Sequence, residues 1–299
     1  MDSKKLEILL TAADLGSFSK AAEVTGYTQS GLTHMMDSLE KEIGFPLLVR
    51  SHSGISLTEQ GERLMPAIRA FLRANAALET EVRAVADRSS GNIRVAAYAS
   101  MALRWMPEIL YRFRRECPDV SVDLRMVDHA LEPFELLENG KTDVIFASFQ
   151  PDRSLNWVPL YEEPLLAVLP KNYPLNGRKT FPVTEFAGRE FLMPYGRFDL
   201  EVNAVLKAAG VEPQVHKTHV DDGTVVRMVA RGLGVSMMGE LMIRGGREDV
   251  LCVPVEPRAC RSLGMGTNPA VRPGKHMKVL ERCVLRFAEE QLGCAGAAE

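Results

Sequence analysis

Residues 16–45 constrain the fold most, because they have the pattern of two short helices joined by a tight turn. Gly26 supplies the turn, where glycine adopts a left-handed backbone most easily, and Thr28 can cap the second helix. Apolar residues then recur at helical spacing and predict one buried stripe: Leu32, Met35, Met36, Leu39 and Ile43. This pattern predicts a helix-turn-helix, in which the start of the second helix reaches DNA base edges. A small helical hairpin with a solvated polar face is the alternative.

The next segment predicts a wing. Two short β-prone runs, residues 47–50 and 55–57, flank the turn residues 51–54, Ser-His-Ser-Gly. Such a pair predicts a β-hairpin. A hairpin directly after the two helices favours a winged helix-turn-helix over the simple helical hairpin.

Thr58 then caps a predicted long helix ending near residue 88, with a bend expected at Pro66. Its apolar seam alternates by four and three residues, a period typical of paired helices. A second copy of the chain is the simplest partner, so the sequence predicts a homodimer. Asn75 either fixes the register of the pair or lies at its edge. The predicted dimerisation residues are Leu64, Ile68, Phe71, Asn75, Leu78, Val82 and Val85.

After a polar hinge at residues 87–91, strand and helix patterns alternate to the end of the chain. This alternation predicts mostly parallel sheets covered by helices, in two α/β units in tandem. The last helix is expected at residues 275–292.

Composition narrows the function classes. The 299 residues carry a net charge of −3, so no overall basic character points to nucleic acid. The five cysteines show no CxxC spacing, which favours free thiols in a reducing, cytoplasmic setting. His216 and His219 lie on opposite faces of a strand-like stretch and are poor joint metal ligands. We expect no metal, no cofactor, no membrane span and no catalytic residues, and hence no enzyme activity.

Three motifs carry a resemblance to a known family: GSFSKAAE at 16–23, TQSGLTHMMDSLEKEIGFPLLVR at 28–50 and GISLTEQGERL at 54–64. Together they resemble the LysR-type transcriptional regulators, and weaker similarity extends over the whole chain. The resemblance implies a multidomain α and α/β fold with a winged helix-turn-helix, a long linker helix and a two-lobed, periplasmic-binding-protein-like effector domain. It implies promoter DNA and a small-molecule effector as partners, and a homodimer or homotetramer.

The implied boundaries are residues 1–58 for the DNA-binding domain, 59–88 for the linker helix and 89–91 for the hinge. Residues 92–163 with 268–299 would form the first lobe, and 164–267 the second.

For DNA reading, Gln29 can pair with adenine, and Thr33 can touch a thymine methyl group. Ser17 and Ser19, near the start of the first motif helix, can hold a phosphate. Arg50 either meets phosphate or pairs with a core carboxylate. The full predicted set is Ser17, Ser19, Lys20, Thr28, Gln29, Ser30, Thr33, His34, Arg50, His52 and Ser53.

The sequence departs from the family at positions 30, 34, 53 and 56, where Ser, His, Ser and Ser replace the common Pro, Arg, Arg and a basic residue. Residues 1–58 contain five basic and seven acidic side chains. We therefore expect modest, salt-tolerant DNA binding. His34 and His52 suggest added positive charge below about pH 6.5. A small-molecule-binding protein with a weakened DNA-reading domain is the rival function.

The resemblance also places an effector cleft between the lobes. Helix N-termini at Ser100 and Thr224 suit a ligand carboxylate. Arg197 is either an anion clamp or a solvated surface residue, and aromatic side chains suggest a flat ligand or simple packing. The predicted effector-binding residues are Ser100, Met101, Asp128, His129, Ala147, Ser148, Phe149, Tyr195, Gly196, Arg197, Phe198, Gly223 and Thr224.

Overall fold

A computed structural model describes residues 2–51, 54–86, 91–127, 130–196, 200–243 and 249–292. The chain divides into an N-terminal unit, Met1–Arg83 with the short segment Glu138–Gly140, and a C-terminal unit, Ala84–Leu137 with Lys141–Glu299. Each unit is described by itself below. Within the described ranges, no helix has both the length and the apolar character required to cross a bilayer.

Three helices open the N-terminal unit: α1 (Ser3–Leu15), α2 (Phe18–Thr25) and α3 (Gln29–Ile43). Each is followed by a glycine in the left-handed conformation, Gly16, Gly26 and Gly44, where a side chain would strain the backbone. Thr28 begins α3, and its Oγ1 accepts a hydrogen bond from the amide of Gly31 at 3.1 Å. The predicted helix, glycine turn and capped second helix are therefore confirmed.

A two-stranded antiparallel wing follows, formed by β1 (Leu48–Ser51) and β2 (Gly54–Leu57). Glu40 of α3 fixes the approach to β1, because its Oε1 accepts hydrogen bonds from the amides of Leu47 at 2.7 Å and Leu48 at 2.9 Å. The buried stripe of α3, including Leu32, packs into one core with α1 and α2. The winged helix-turn-helix prediction is confirmed.

Helix α4 (Glu59–Ala86) continues through Pro66 without ending. Its first half belongs to the core of the N-terminal unit, because Ile68 is buried in that core and Leu64 packs against it. Burial in the core of its own unit contradicts the seam prediction for Ile68, whereas Leu64 is only partly buried and stays a prediction. Asn75 donates a hydrogen bond to Glu79 at 3.0 Å within the same helix. The side chain of Val85 lies outside the described residues.

Apolar side chains of α4 beyond its first half are exposed. Phe71 is 44% exposed, Leu78 63% and Val82 58%. They recur at spacings of seven and four residues along the helix, so they lie on one face. Their exposure leaves an apolar strip of α4 available to a partner.

The C-terminal unit contains ten strands and seven α-helices within the described residues. The strands are β3 (Asn92–Tyr98), β4 (Ser121–Val127), β5 (Val144–Ser148), β6 (Asn156–Pro170), β7 (Phe181–Pro182), β8 (Glu190–Met193), β9 (Gln214–Lys217), β10 (Ser236–Gly239), β11 (Val250–Glu256) and β12 (Cys260–Thr267). The helices are α5 (Ala99–Arg104), α6 (Met106–Glu116), α7 (Glu132–Glu138), α8 (Leu200–Ala208), α9 (Asp222–Ala230), α10 (Glu240–Ile243) and α11 (Lys275–Gln291).

One sheet runs through this unit in the order β4-β3-β5-β12-β6-β11-β7, and β10 also pairs with β6. The outer pairs β3–β4 and β3–β5 are parallel, as expected. The central strands β6 and β12 are antiparallel to each other and to their other partners. At the edge of the sheet, β11 and β7 pair in parallel. The expectation of a mostly parallel sheet is wrong at this centre, because β6 and β12 run in opposite directions beside each other.

Strand β6 joins two hydrophobic cores. Its first half pairs with β12 beside a core that contains Trp105, Phe146 and Phe287. Its second half pairs with β10 and β11 beside a core that contains Phe181 and Phe191. The two-lobed α/β prediction is confirmed, with β6 as the strand that runs from one lobe to the other.

Candidate functional site

The exposed face of α3 forms a shallow concavity in the N-terminal unit. Its lining consists of Gln29, Ser30, Thr33, His34 and Asp37. These positions follow the three- and four-residue spacing of one helix face. The first four are predicted DNA-binding residues, and the structure places them together on one accessible surface. Asp37 is the addition that the sequence analysis did not include.

Local hydrogen bonds fix two of these side chains. Ser19 of α2 donates its hydroxyl proton to Oε1 of Gln29 at 3.1 Å. Because a carboxamide oxygen has two lone pairs, Gln29 can still accept one hydrogen bond and donate two. Thr33 donates its hydroxyl proton to the carbonyl of Gln29 at 3.0 Å, within the helix. Its oxygen therefore serves an outside partner only as an acceptor.

The remaining predicted DNA-binding residues have differing surroundings. Ser17 caps α2 by accepting a hydrogen bond from the amide of Lys20 at 3.4 Å, so its hydroxyl already has a structural partner. Lys20 and Thr28 are exposed. Arg50 is paired with a carboxylate, at 2.5 Å from Asp37, but that carboxylate lies on the surface rather than in the core. His52 and Ser53 lie outside the described residues.

A cavity of about 350 Å³ lies in the C-terminal unit, between elements of both lobes. This volume is at the lower end of the range for small-molecule sites, about 300–1,000 Å³. Its walls are mainly apolar and include four methionines, Met193, Met237, Met238 and Met242. Methionine side chains adapt to irregular shapes, so the cavity suits an apolar ligand body.

Ser100 is the predicted residue with the clearest relation to this cavity. It lies in the first turn of α5, is 2% exposed and lines the cavity. Its Oγ is buried without a hydrogen-bond partner in the structure. An unsatisfied buried hydroxyl costs about 1–3 kcal/mol, which a ligand with a hydrogen-bonding group would recover. Tyr195 also lines the cavity, with a left-handed φ of 52°.

Several predicted effector-binding residues lie elsewhere. Met101 and Ala147 are completely buried in a hydrophobic core, so their predicted place at the cleft is wrong. Phe149 is exposed and packs against Trp157, with ring centroids 5.6 Å apart. Ser148 is buried and donates a hydrogen bond to Glu201 of α8.

Thr224 does not offer a free helix N-terminus. Helix α9 is capped by Asp221, whose Oδ1 accepts a hydrogen bond from the amide of Thr224 at 2.7 Å. Hydrogen bonds from the side chain of Thr224 and from its amide lower the pKa of Asp221 below its usual value. The cap carboxylate takes the Thr224 amide that the prediction reserved for a ligand carboxylate, and the exposed side chain of Thr224 stays a predicted contact. Gly223 lies in the same capped turn, and Gly196 ends a short 3₁₀ turn after β8.

Four predicted effector-binding residues, Asp128, His129, Arg197 and Phe198, lie outside the described residues. The sequence analysis missed Arg261, which lines the cavity from β12 and is 7% exposed. Its Nε donates to Oε2 of Glu163 on β6 at 2.5 Å, and Glu163 is completely buried. The signal was a pair of glutamates within β6 and an arginine within β12, because buried charges occur as pairs.

Comparison with known proteins agrees with this architecture. The family model described as the bacterial regulatory helix-turn-helix protein of the lysR family matches residues 3–62. The model described as the LysR substrate binding domain matches residues 86–293. The chain therefore belongs to the LysR family of transcriptional regulators, which combine a helix-turn-helix DNA-binding domain with an effector-binding domain.

Relatives include the uncharacterized HTH-type transcriptional regulator YybE of Bacillus subtilis, 26% identical over 81% of this chain and 83% of that protein. The HTH-type transcriptional regulator MetR of Escherichia coli is 25% identical over 96% of this chain and 90% of its own length. Full-length BenM is similar in structure, with a TM-score of 0.60, 20% identity and complete coverage of both chains. At that identity, BenM supports the fold alone.

Proposed function

We propose that the N-terminal end of α3 enters the major groove and that a small carboxylate in the cavity of the C-terminal unit adjusts DNA binding. The exposed polar face of α3 is the observation that carries the proposal. Gln29, Ser30, Thr33 and His34 line one accessible concavity beside the wing. Residues at the start of such a helix contact base edges in helix-turn-helix proteins.

Gln29 is assigned the main base contact. A carboxamide can donate to N7 of adenine and accept from N6, a bidentate pair worth about 1–3 kcal/mol of discrimination. The hydrogen bond from Ser19 holds its Oε1 before DNA arrives, which reduces the entropy lost on binding. Ser17, Ser19 and Lys20 at the start of α2 are assigned to the phosphate backbone.

Ser100 is assigned the head group of the effector. The buried, unpartnered Oγ at the start of α5 offers a hydroxyl donor to a carboxylate. Methionine side chains would hold the apolar body. Titration of a set of small monocarboxylic acids tests this assignment by calorimetry. Ser100→Ala should weaken binding of an active acid about tenfold, and an unchanged affinity would contradict the assignment.

The exposed strip of α4 is assigned to dimerisation. Phe71, Leu78 and Val82 expose apolar surface along one helix face. Pairing with the same strip of a second copy would bury it, and antiparallel or parallel helices pack in this way. Homodimers or homotetramers are the proposed assemblies.

A footprint on the DNA next to the gene of this protein tests the regulatory function. We expect protection of a segment with two half-sites, because the proposed homodimer or homotetramer has at least two DNA-binding domains. The rival, a small-molecule-binding protein with a weakened DNA-reading domain, is favoured by the seven acidic against five basic residues at positions 1–58. If the C-terminal unit binds a carboxylic acid and the protein protects no DNA segment, that result would support the rival.

A further inference from the structure

Asp37 places a negative charge on the surface that is proposed to face DNA. It lies one helical turn beyond Thr33 and His34 and lines the same concavity. Its side chain is 57% exposed. Because α3 rises 1.5 Å per residue, Asp37 lies about 12 Å along the axis from Gln29. It is therefore distant from the base-reading end of the helix.

Asp37 contacts the one basic side chain of the wing strands within the described residues. Nη2 of Arg50 is 2.5 Å from Oδ1 of Asp37 and 3.7 Å from Oε2 of Glu40. The Arg50 guanidinium also lies over the ring of Phe18, 5.3 Å from its centroid. These three groups hold Arg50 against the N-terminal unit.

The two carboxylates that face Arg50 are not equivalent. Glu40 is 18% exposed and already accepts hydrogen bonds from the amides of Leu47 and Leu48, so it is committed to the fold. Asp37 is the closer and more exposed of the two. Loss of its charge would leave Arg50 with a weaker electrostatic partner and free the guanidinium for another anion.

Resting on the DNA-reading function proposed above, we infer that Asp37 is a positioning residue that withholds Arg50 from the DNA backbone. The pair is electrically neutral at the point where a free arginine would neutralise a phosphate. Each DNA-binding domain therefore makes one phosphate contact fewer than its residues allow. The effect is on affinity for any duplex and not on sequence preference, because phosphate contacts carry no sequence information.

The test measures binding of the full-length protein to a random-sequence duplex of about 40 base pairs by fluorescence anisotropy, over a series of NaCl concentrations. Random sequence isolates backbone contacts. Each added phosphate contact steepens the slope of log affinity against log salt by about 0.9. For Asp37→Asn in a two-headed dimer, we expect a slope steeper by about 1.8 and at least tenfold tighter binding at 0.1 M salt.

Two controls separate this effect from simple removal of a negative charge. In the Arg50→Gln background, Asp37→Asn should change affinity less than threefold, because no arginine is released. The second control, Asp14→Asn, breaks a comparable exposed pair, since Oδ1 of Asp14 is 3.2 Å from Nη2 of Arg69. Asp14 does not line the concavity. This variant removes the same charge and should leave the slope unchanged.

If wild-type protein binds the duplex and Asp37→Asn leaves the salt slope unchanged, the inference is overturned and the DNA-reading function is not. An equal gain with Arg50 present and in the Arg50→Gln background would also overturn it, because Asp37 would then act by its own charge. Absence of binding by both wild type and Asp37→Asn would overturn the DNA-reading function as well.

Discussion

Replacement of Glu163 by glutamine should destabilise the C-terminal unit severely. Glu163 is completely buried, and its partner Arg261 is 6% exposed in its side chain. In the E163Q variant, the carboxamide oxygen could still accept the hydrogen bond that Oε1 of Glu163 takes from the amide of Leu241 at 2.6 Å. The variant loses the carboxylate charge opposite Arg261 and the hydrogen bond from its Nε, because the carboxamide nitrogen would face that donor. Breaking a buried ion pair by neutralising one partner costs about 3–5 kcal/mol of unfolding free energy.

Tryptophan fluorescence during thermal unfolding measures this change selectively. The two tryptophans of the chain, Trp105 and Trp157, both lie in the C-terminal unit. For a unit of about 200 residues, 1 kcal/mol shifts the melting temperature by about 2–4 °C, so E163Q should lower it by roughly 6–20 °C.

A double variant provides the matched control. E163Q/R261M removes both charges, keeps the oxygen that serves Leu241 and should recover most of the lost stability. A fall of less than about 2 °C for E163Q, or a double variant as unstable as the single one, would refute the reasoning.

Three further predictions concern other parts of the chain. The hydrogen bonds that Asp221 accepts from Thr224 lower its pKa, so its stabilisation is complete above the ordinary value of about 3.9 and is lost as pH falls through the folded value. D221N should reduce the loss of stability between pH 5 and pH 3 in urea titrations. L78E should convert dimers to monomers in light scattering, whereas A74E, at another exposed position of α4, should not. Burial raises the pKa of the Cys283 thiol, so it should react with a thiol reagent at pH 8 at least about tenfold more slowly than a free cysteine.

The N-terminal unit follows closely from local sequence. Gly26, Thr28 and Gly44 each act on their own neighbours, through a left-handed backbone or a helix cap, so the sequence alone indicates where helices begin and end. The pairing of Arg50 with Asp37 was harder to predict from the sequence. These residues are 13 positions apart, and only the fold decides which of several carboxylates the guanidinium meets.

The cavity of the C-terminal unit was harder to predict, because its walls come from distant segments. Ser100 was found through its position at a helix N-terminus. Met101 follows it directly, but the helix turns its side chain into the core. Arg261 and Glu163 are 98 positions apart and meet only because β6 and β12 pair, which the expected parallel order did not include. The sequence analysis also overlooked Asp221, which caps the helix and takes the amide of Thr224.

The central claim is that the start of α3 reads bases. Its most direct test is the ratio of affinities for the footprinted segment and for random-sequence duplex, measured for wild type and for Gln29→Ala. Loss of one bidentate contact of about 1–3 kcal/mol should reduce this ratio roughly 5- to 150-fold, while affinity for random sequence stays the same. An unchanged ratio would contradict the claim.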